Sequence, residues 1–599
     1  MINKLRYHSY KVLPLVYDDA LSYLEILDKV RYKINEIIDG MDIYQIKFAD
    51  PIYWDITKQY EPFTIVKDDN GSYISKQAVP AGISLTNQEY WQNIGETQTF
   101  TQTVINVADY GALGVRGADY TTQIRNAIEA GNILYFPKGY YSFGTIDINK
   151  DIIFFGDGED SVFIPLHKNT ENNAYKPMFN ISTGNRVTFD GINITGDNSI
   201  VNETGDKEYT ESIIRAFNSD VIFKDCYFND LRSVYRLTVA DIPFTEREGI
   251  LLYASNCNLT MSGCTFGDFY GNELIWSSRS RNDFSNGTTI IENCKFDDRT
   301  GAPSGVDTDG SCFDILGGTI LFVNNIGDNS TYAGSFANLF GDCVYVNGNN
   351  FTNFQGYGSM IDTCEGYYVK NSTAIIENNY FEAINFDDTI KVFSKDIRIA
   401  NNYITGRCPI KILVTNDYSD LDTYHSSENL ESDLNNIDIK NNTLVCTLNG
   451  DYYYNTGVVM GQTRQSAGSR SKYKTYNIFG NTFENSSDVT SPRQQLEILT
   501  NADIVTIANN IFKQSGTAQS GTRLAFIGTN DTASMKLILI GNYFAPSASA
   551  CNVIFGSASG FANYNVIFAS NSTEDTTNLH AGPSTMTATI LSNNSNILT

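Results

Sequence analysis

Histidine is scarce in this chain, and several familiar catalytic motifs are absent from it. The 599 residues include four His, and no two of them are spaced as a pair of metal ligands, so neither a structural zinc site nor a Ser–His–Asp triad is expected. The sequence has no HExxH, no GxSxG and no Walker loop. The ten Cys include no CxxC pair, and their spacing predicts no disulfide framework. We therefore predict no cofactor.

Basic residues are also in deficit. Lys and Arg number 42 against 68 Asp and Glu, for a net charge of −26, which argues against nucleic acid or an anionic membrane as a partner. No apolar run approaches the roughly 18 residues of a membrane span. The first residues do not have the charged and apolar regions of a signal peptide. We expect a soluble protein that its own signal does not export.

The chain does contain one phrase that recurs from end to end. Each copy is a short apolar run, then Asn, Cys or Gly, then usually an aromatic or aliphatic residue. The steps between copies range from 23 residues (Asn379 to Asn402) to 40 residues (Asn402 to Asn442). A fixed minimum with a variable excess is typical of a solenoid whose coils are constant and whose loops are not. The last polar residues of the copies are Cys226, Cys264, Cys294, Asn325, Asn349, Asn379, Asn402, Asn442, Asn481, Asn510, Asn542, Asn571 and Asn594.

This repeat predicts an all-β protein, a right-handed parallel β-helix with coils about 4.8 Å apart. Asn tolerates a left-handed bend, and its amide can hydrogen-bond to the Asn residues above and below it. We therefore predict a structural Asn column. Cys226, Cys264 and Cys294 occupy the same column, where we expect them to be buried thiols.

Two segments precede the solenoid. Residues 17–38 carry apolar residues at helical spacing, so we predict that residues 1–40 form a helical segment that trimerises or docks. Residues 41–98, rich in aromatic and turn residues, predict a small β-rich anchoring module. The β-helix is then expected over residues 99–599, with a helix at 121–129 that caps its open end.

Two stretches resemble known families. Asp109-Tyr110-Gly111-Ala112, the helix that follows, Tyr135-Phe136-Pro137-Lys138-Gly139-Tyr140 and Gly156-Asp157-Gly158 resemble the opening of pectate-lyase-superfamily β-helices, with Asp119-Tyr120-Thr121 in place of the usual Asp-Asp-Thr. This resemblance implies the fold; the fold hosts lyases, hydrolases, esterases and adhesins, so it does not imply one activity.

The second resemblance is to the N-terminal module of tail spikes and preneck appendages of short-tailed phages that infect Gram-positive bacteria. It rests on Tyr17-Asp18-Asp19-Ala20-Leu21-Ser22-Tyr23, Trp54-Asp55-Ile56-Thr57, Tyr60-Glu61-Pro62, Val79-Pro80-Ala81-Gly82-Ile83-Ser84-Leu85-Thr86-Asn87 and Tyr90-Trp91. It implies a homotrimeric virion protein that is attached to phage tail or connector proteins through its N-terminus. Such a protein is made in the host cytoplasm and acts at the host cell surface.

Acidic residues are densest in the early regular coils. Glycoside hydrolysis needs two carboxyl groups roughly 5–10 Å apart, and we predict them among Glu273, Asp307, Asp309 and Asp314. Trp276, Arg279 and Arg281 are candidate substrate-binding residues, with Asp362 and Glu365 as a further pair. The alternative is that each Asp is an ordinary turn residue that caps its own backbone. No metal site is predicted, although Ca²⁺ held by carboxylates stays an open alternative.

Two later insertions have opposite charge. Residues 418–434 are acidic and residues 461–474 are basic. We predict either a salt-bridged loop pair or an intersubunit contact; the alternative is that the basic loop binds an anionic polymer.

Together these patterns favour a phage tail appendage that binds and cleaves a host-surface glycopolymer, either teichoic acid or capsular polysaccharide. It would then be a glycoside hydrolase or a phosphodiesterase. A non-enzymatic receptor-binding fibre and a free polyuronate-degrading enzyme are the alternatives.

Overall fold

The computed structural model describes part of the chain. The described ranges are 52–61, 64–68, 71–95, 104–166, 177–196, 212–229, 231–232, 251–270, 273–278, 287–297, 311–332, 334–356, 358–363, 373–413, 435–447, 456–462, 474–485, 494–499, 502–515, 523–528, 535–545, 552–555, 564–573, 580–581 and 587–590. The predicted helix at 17–38 lies outside these residues. So do most of both charged insertions and Asn594.

The chain divides into two compact units at residues 103/104. In the first unit a four-stranded sheet packs around a small core that includes Tyr60, Val66 and Trp91. The Tyr60 and Trp91 rings meet edge to face, with centroids 5.4 Å apart. Its strands are Ile52–Tyr53, Ile65–Asp68, Gly71–Ser75 and Trp91–Gly95.

The second unit is a parallel β-helix, as the repeat predicts. Each coil contributes strands to three faces, and each strand pairs in parallel with the equivalent strand of the next coil. We name these faces A, B and C. Face A consists of Ile146–Ile148, Phe179–Ile181, Ile214–Phe217, Leu252–Ser255, Ile275–Ser278, Phe313–Leu316, Ala337–Phe340, Ser359–Thr363, Asp388–Val392, Ile410–Leu413, Thr456–Gln462, Gln494–Leu499, Arg523–Gly528, Asn552–Phe555 and His580–Ala581.

Faces B and C are joined in the early coils by two long strands, Ile152–Pro165 and Arg186–Thr195, that run through both. The other strands of face B are Val104–Asn106, Ile133–Phe136, Asp220–Lys224, Asn258–Ser262, Thr288–Glu292, Thr319–Val323, Cys343–Asn347, Thr373–Glu377, Asp396–Ala400, Asn436–Lys440, Thr475–Phe479, Ile504–Ala508, Met535–Ile540, Tyr564–Ala569 and Thr587–Ile590. The other strands of face C are Gly139–Phe143, Tyr227–Asn229, Thr265–Phe266, Lys295–Asp297, Ile326–Asp328, Asn350–Gln355, Tyr380–Ile384, Tyr403–Gly406, Thr443–Cys446, Thr482–Asn485, Ile511–Gln514, Tyr543–Ala545 and Ser572–Thr573. A short extra pair joins Leu231–Arg232 to Phe269–Tyr270.

The Asn column is a continuous buried ladder. Each Asn donates from Nδ2 to Oδ1 of the Asn on the next coil, at 2.9–3.0 Å. The same Oδ1 also accepts the backbone N–H of the donor residue, for example from Asn402 to Asn442 at 2.9 Å. Because buried amide groups need partners, this ladder ties each bend to the next. Its members run from Asn325 through Asn349, Asn379, Asn402, Asn442, Asn481, Asn510 and Asn542 to Asn571.

Cysteine continues this column at its early end, as predicted. Cys226, Cys264 and Cys294 are buried free thiols, and Cys294 N–H donates to Asn325 Oδ1 at 2.9 Å. Burial raises the pKa of the Cys226 thiol well above its ordinary value. These residues are therefore packing groups, not a disulfide framework.

The left-handed bend is one residue earlier than the sequence analysis placed it. The residue before each column position has φ between 48° and 69°; it is Asn in Asn378–Asn379 and Gly in Gly480–Asn481. At Gly480 an added Cβ would lie 2.5 Å from Asn441 Oδ1 of the previous coil. The phrase therefore has two separate roles, a bend residue and then a ladder residue.

The first coil carries the predicted cap. A 3₁₀ helix, Val107–Tyr110, precedes an α-helix, Thr121–Ala130. Ile124, Ala127 and Ile128 of the α-helix are buried in the hydrophobic core of the second unit. These side chains cover the apolar end of the coil stack, which would otherwise be exposed to water.

Candidate functional site

A row of polar and aromatic side chains runs along the strands of face A. Successive members are register partners on neighbouring coils, so they lie about 4.8 Å apart along the helix axis. We call this set the polar row; its members are Arg215, Tyr253, Trp276, Asp314, Asn338, Asp362, Lys391 and Lys411.

The polar row alternates with the hydrophobic core along each strand. In Phe313–Leu316, Phe313 and Ile315 belong to the core, whereas Asp314 between them does not. Successive side chains of a strand point to opposite faces of the sheet. The row is therefore on the side of face A that faces away from the core.

Three residues predicted from the sequence fall in this row. Trp276 pairs in register with Asp314, and Asn338 separates Asp314 from Asp362. Glu273 is on the same coil as Trp276 but three residues earlier, outside the row; it is 4% exposed. The other predicted residues lie outside the described part of the chain: Asp307, Asp309, Arg279, Arg281 and Glu365.

The row is deeply covered for a set of polar groups on the outside of a sheet. Trp276 and Asp362 are each 4% exposed and Asp314 is 5% exposed. Tyr253, Asn338 and Arg215 are only partly buried. Charges at low solvent exposure interact more strongly than charges in water, so we expect strong electrostatic interactions within the row. Water reaches the row mainly at its partly buried members.

Two buried ion pairs involve the lysines at the basic end of the row, Lys391 and Lys411. Lys391 Nζ lies 3.0 Å from Asp362 Oδ2, and Lys411 Nζ lies 3.2 Å from Asp388 Oδ2. Lys391 and Lys411 are themselves register partners, and like charges on neighbouring strands repel. The two aspartates compensate this repulsion.

The carboxyl group of Asp388 lies beside the row and is buried. Burial raises its pKa above the ordinary value, although Lys411 and Lys391 act in the opposite direction. Beside it, burial raises the pKa of the Cys408 thiol well above its ordinary value. Desolvation of a charged group is the cause in both cases.

The distance between Asp314 and Asp362 can be compared with the spacing of carboxyl pairs in glycosidases. Asp314 and Asp362 are two coils apart, so their Cα atoms are separated by about 9–10 Å. Inverting glycosidases hold their carboxyl pair roughly 6.5–9.5 Å apart, which leaves room for a water molecule, and retaining enzymes hold them closer, at about 5–5.5 Å. The Cα separation of the two aspartates is wider than the carboxyl spacing of the retaining route.

The sequence analysis missed Asn338, Lys391, Lys411 and Asp388. The signal that could have found Asn338 and Lys411 is one polar residue inside an apolar strand, as in Ala337–Phe340 and Ile410–Leu413. Asp388 and Lys391 lie in the mixed strand Asp388–Val392, which has no such pattern. Asp342 follows Ala337–Phe340 and lies outside the row. Burial raises the pKa of its carboxyl group.

Neither a metal site nor a membrane span is found in the part of the chain that the structure describes. Within it, no group of three or more His, Cys, Asp or Glu side chains could hold a metal ion. Within the same residues, no helix is long and apolar enough to cross a membrane.

No known sequence family and no curated protein matches this chain. Solved structures similar to it include the A-module of a mannuronan C-5 epimerase from Azotobacter vinelandii, with 11% identity, 78% of this chain and 98% of that chain covered, and a TM-score of 0.32. Tailspike protein 3 of bacteriophage CBA120 has 10% identity, with 93% of this chain and 80% of that chain covered, and a TM-score of 0.30. The catalytic unit of an α-1,3-glucanase from Streptomyces thermodiastaticus has 12% identity, with 78% of this chain and 68% of that chain covered, and a TM-score of 0.32. At these TM-scores the likenesses carry no argument about function.

Proposed function

We propose that this protein is a phage tail appendage whose β-helix binds and cleaves a glycopolymer of the host surface along the polar row. Teichoic acid and capsular polysaccharide are the substrate classes. The observation that carries the proposal is that Trp276, Asp314 and Asp362 lie in one row on face A. A straight row along the helix axis suits a linear polymer, because successive units can meet successive coils.

In this proposal Asp314 and Asp362 are the carboxyl pair and Trp276 contacts a sugar ring. The two-coil separation leaves space for a water molecule between carboxylate and sugar, so one carboxyl group protonates the leaving oxygen while the other activates water. Asn338 lies between them in register, and its amide donates one hydrogen bond to Ser311 Oγ at 3.2 Å; its second amide hydrogen would be donated to the bound unit. Phosphodiester cleavage would use the same pair on a phosphate-linked polymer.

The attachment to a virion rests on the sequence resemblance of the N-terminal segments. On that basis the first unit joins the protein to tail or connector proteins, and the assembly is a homotrimer. The polar row would then be carried to the host surface by the virion.

A non-enzymatic receptor-binding fibre is the second candidate, and the low exposure of Asp314 and Asp362 favours it. In that case the ion pairs and polar contacts of the polar row stabilise face A, and the protein binds the polymer without cleaving it. The two candidates share the fold and differ in their products.

Release of soluble phosphate or reducing sugar from purified host walls separates them. We expect the wild-type protein to bind the walls and release products, and Asp314→Asn to bind them without release. Asp160→Asn is the matched control, since Asp160 is an exposed carboxylate paired with Lys138 outside the row. If the wild-type protein binds the walls without releasing products, the protein is a receptor-binding fibre. If Asp314→Asn releases products as fully as the wild type, Asp314 is not a catalytic residue.

A further inference from the structure

The outer side of face A carries a second column of side chains beside the polar row. Phe217 is two residues after Arg215 on the strand Ile214–Phe217, and the residue between them belongs to the core. Because side chains alternate along a strand, Phe217 and Arg215 lie on the same outer side of the sheet. Ser255 and Ser278 follow Phe217 in register on the next two coils. The column therefore begins with an aromatic ring and continues with two short hydroxyl side chains.

The Phe217 ring is accessible and is held against a member of the polar row. It is 42% exposed, and its centroid lies 5.9 Å from that of the Tyr253 ring, with the two planes inclined at 55°. Tyr253 is the register partner of Trp276 in the row. The short side chain of Ser255 covers little of the Phe217 ring from the next coil, which agrees with its exposure. We call Phe217, Tyr253, Ser255 and Ser278 the aromatic patch.

The chemistry of the aromatic patch matches a sugar ring. An aromatic ring offers an apolar face to the C–H groups of a sugar, and the hydroxyl groups of Tyr253, Ser255 and Ser278 can donate and accept hydrogen bonds. No member of the patch is charged. Arg215, the charged row member on the Phe217 strand, is partly buried, and its positive charge is compatible with a neutral or an acidic sugar.

The patch also lies at the accessible end of the polar row. Among the side chains of face A that the structure describes, Phe217 is the one large apolar side chain that is exposed. At the other end, the two lysines of the row form buried ion pairs. Phe340, which continues the second column in that direction, is 5% exposed. A polymer that lies along the row can therefore reach an aromatic ring on the side that precedes Asp314 in the chain.

We propose that the aromatic patch binds a sugar ring of the polymer at a unit that is not itself cleaved. This inference rests on the proposed function. Phe217 is three coils before Asp314, which is about 14 Å along the helix axis, so the unit on the patch is not the unit at the carboxyl pair. Contacts remote from the reacting bond strengthen the binding of a long substrate. The polymer must then carry sugar rings, because a bare polyol phosphate chain has no ring to place on Phe217.

The test is the affinity of full-length Phe217→Ala for purified host walls, measured by co-sedimentation beside the wild type. Phe479→Ala is the matched control, since Phe479 is 45% exposed and lies on face B, away from the row. We expect Phe217→Ala to bind the walls at least about fivefold more weakly, as truncation of an aromatic contact residue commonly does. Phe479→Ala should bind as the wild type does, and Phe217→Tyr, which keeps a ring, should retain most of the affinity. Far-ultraviolet circular dichroism checks that all variants are folded.

The outcome for the patch is separable from the outcome for cleavage. With saturating walls, we expect Phe217→Ala to release products at the wild-type rate, because the ring is remote from Asp314. Unchanged wall binding by Phe217→Ala, or an equal loss in Phe479→Ala, would overturn the patch and leave the proposed cleavage intact. If the wild type binds the walls and releases nothing, the proposed cleavage is wrong, while the comparison of affinities still decides the patch. A wild type that does not bind the walls would contradict both.

Discussion

Lys391 and Asp362 form an ion pair across two neighbouring coils, with 3.0 Å between Nζ and Oδ2. Their side chains are 11% and 6% exposed, so the pair is desolvated. A buried pair recovers the cost of desolvation only if its geometry is good. The pair links the basic end of the polar row to the proposed carboxyl pair, because Asp362 belongs to both.

Removal of one partner of this pair should cost far more stability than removal of both. We expect Lys391→Met to lower the free energy of unfolding by about 3–5 kcal/mol, because Asp362 is left as a buried charge without its partner cation. The double variant Lys391→Met with Asp362→Asn should recover most of that loss. Chemical denaturation of the four proteins of this cycle measures the coupling. Additive effects of the two substitutions would contradict it.

Asp388 should make its own contribution to the pH dependence of stability. Its pKa is raised in the folded protein by burial, against the opposing effect of the two lysines. The folded state therefore binds the proton more tightly than the unfolded state, and the contribution of this group to stability falls as pH rises from about 3.8 through the raised pKa.

The measurement is the difference in free energy of unfolding between the wild type and Asp388→Asn as a function of pH. We expect this difference, wild type minus variant, to decrease from pH 3.8 upward and then to level off. An increase over the same range would show that the lysines, and not burial, dominate at this carboxyl group.

The Asn ladder and the bend that precedes it should respond differently to substitution. Asn442→Ala removes the acceptor of two Asn402 N–H groups and the donor to Ile399 O. Buried groups that lose their partners cost about 1–3 kcal/mol, so we expect a loss of that order in the free energy of unfolding.

The adjacent Asn441 is the matched control. It has φ of 56°, and glycine takes the same bend position in other coils, so Asn441→Gly should change stability by only a few tenths of a kcal/mol. Equal losses of stability for Asn442→Ala and Asn441→Gly would show that the ladder hydrogen bonds contribute no more to stability than the bend residue does.

The sequence predicted the parallel β-helix and its Asn ladder because the ladder phrase is local and repeats. An apolar run followed by Asn379 or Asn402 can be recognised without knowing which strands pair. The same phrase did not show that Asn378 and Asn401, one residue earlier, take the left-handed conformation, because Asn stands at both positions.

The polar row could be predicted only in part. The sequence identified Trp276, Asp314 and Asp362 as candidate site residues from their chemistry. It did not show that they lie in one row, because that depends on how strands pair across coils of unequal length. Lys391 and Lys411 were missed because a lysine within a strand shows its own position but not the side chains beside it. Their neighbours follow only from the register, which pairs Lys391 with Asp362 and Lys411 with Lys391. Asp307 and Asp309 lie outside the described residues, so their assignment stays a prediction.

The most direct test of the polar row as the polymer site uses the fluorescence of Trp276. The chain has three Trp, and Trp276 is the one in the β-helix, while the other two, Trp54 and Trp91, are in the first unit. Wall polymer from a bacterium that binds the protein would be titrated into the wild type and into Trp276→Phe. We predict a saturable change in emission for the wild type that is absent from Trp276→Phe. Binding of the polymer by the wild type with no change in emission, or the same change in both proteins, would contradict the assignment of the site.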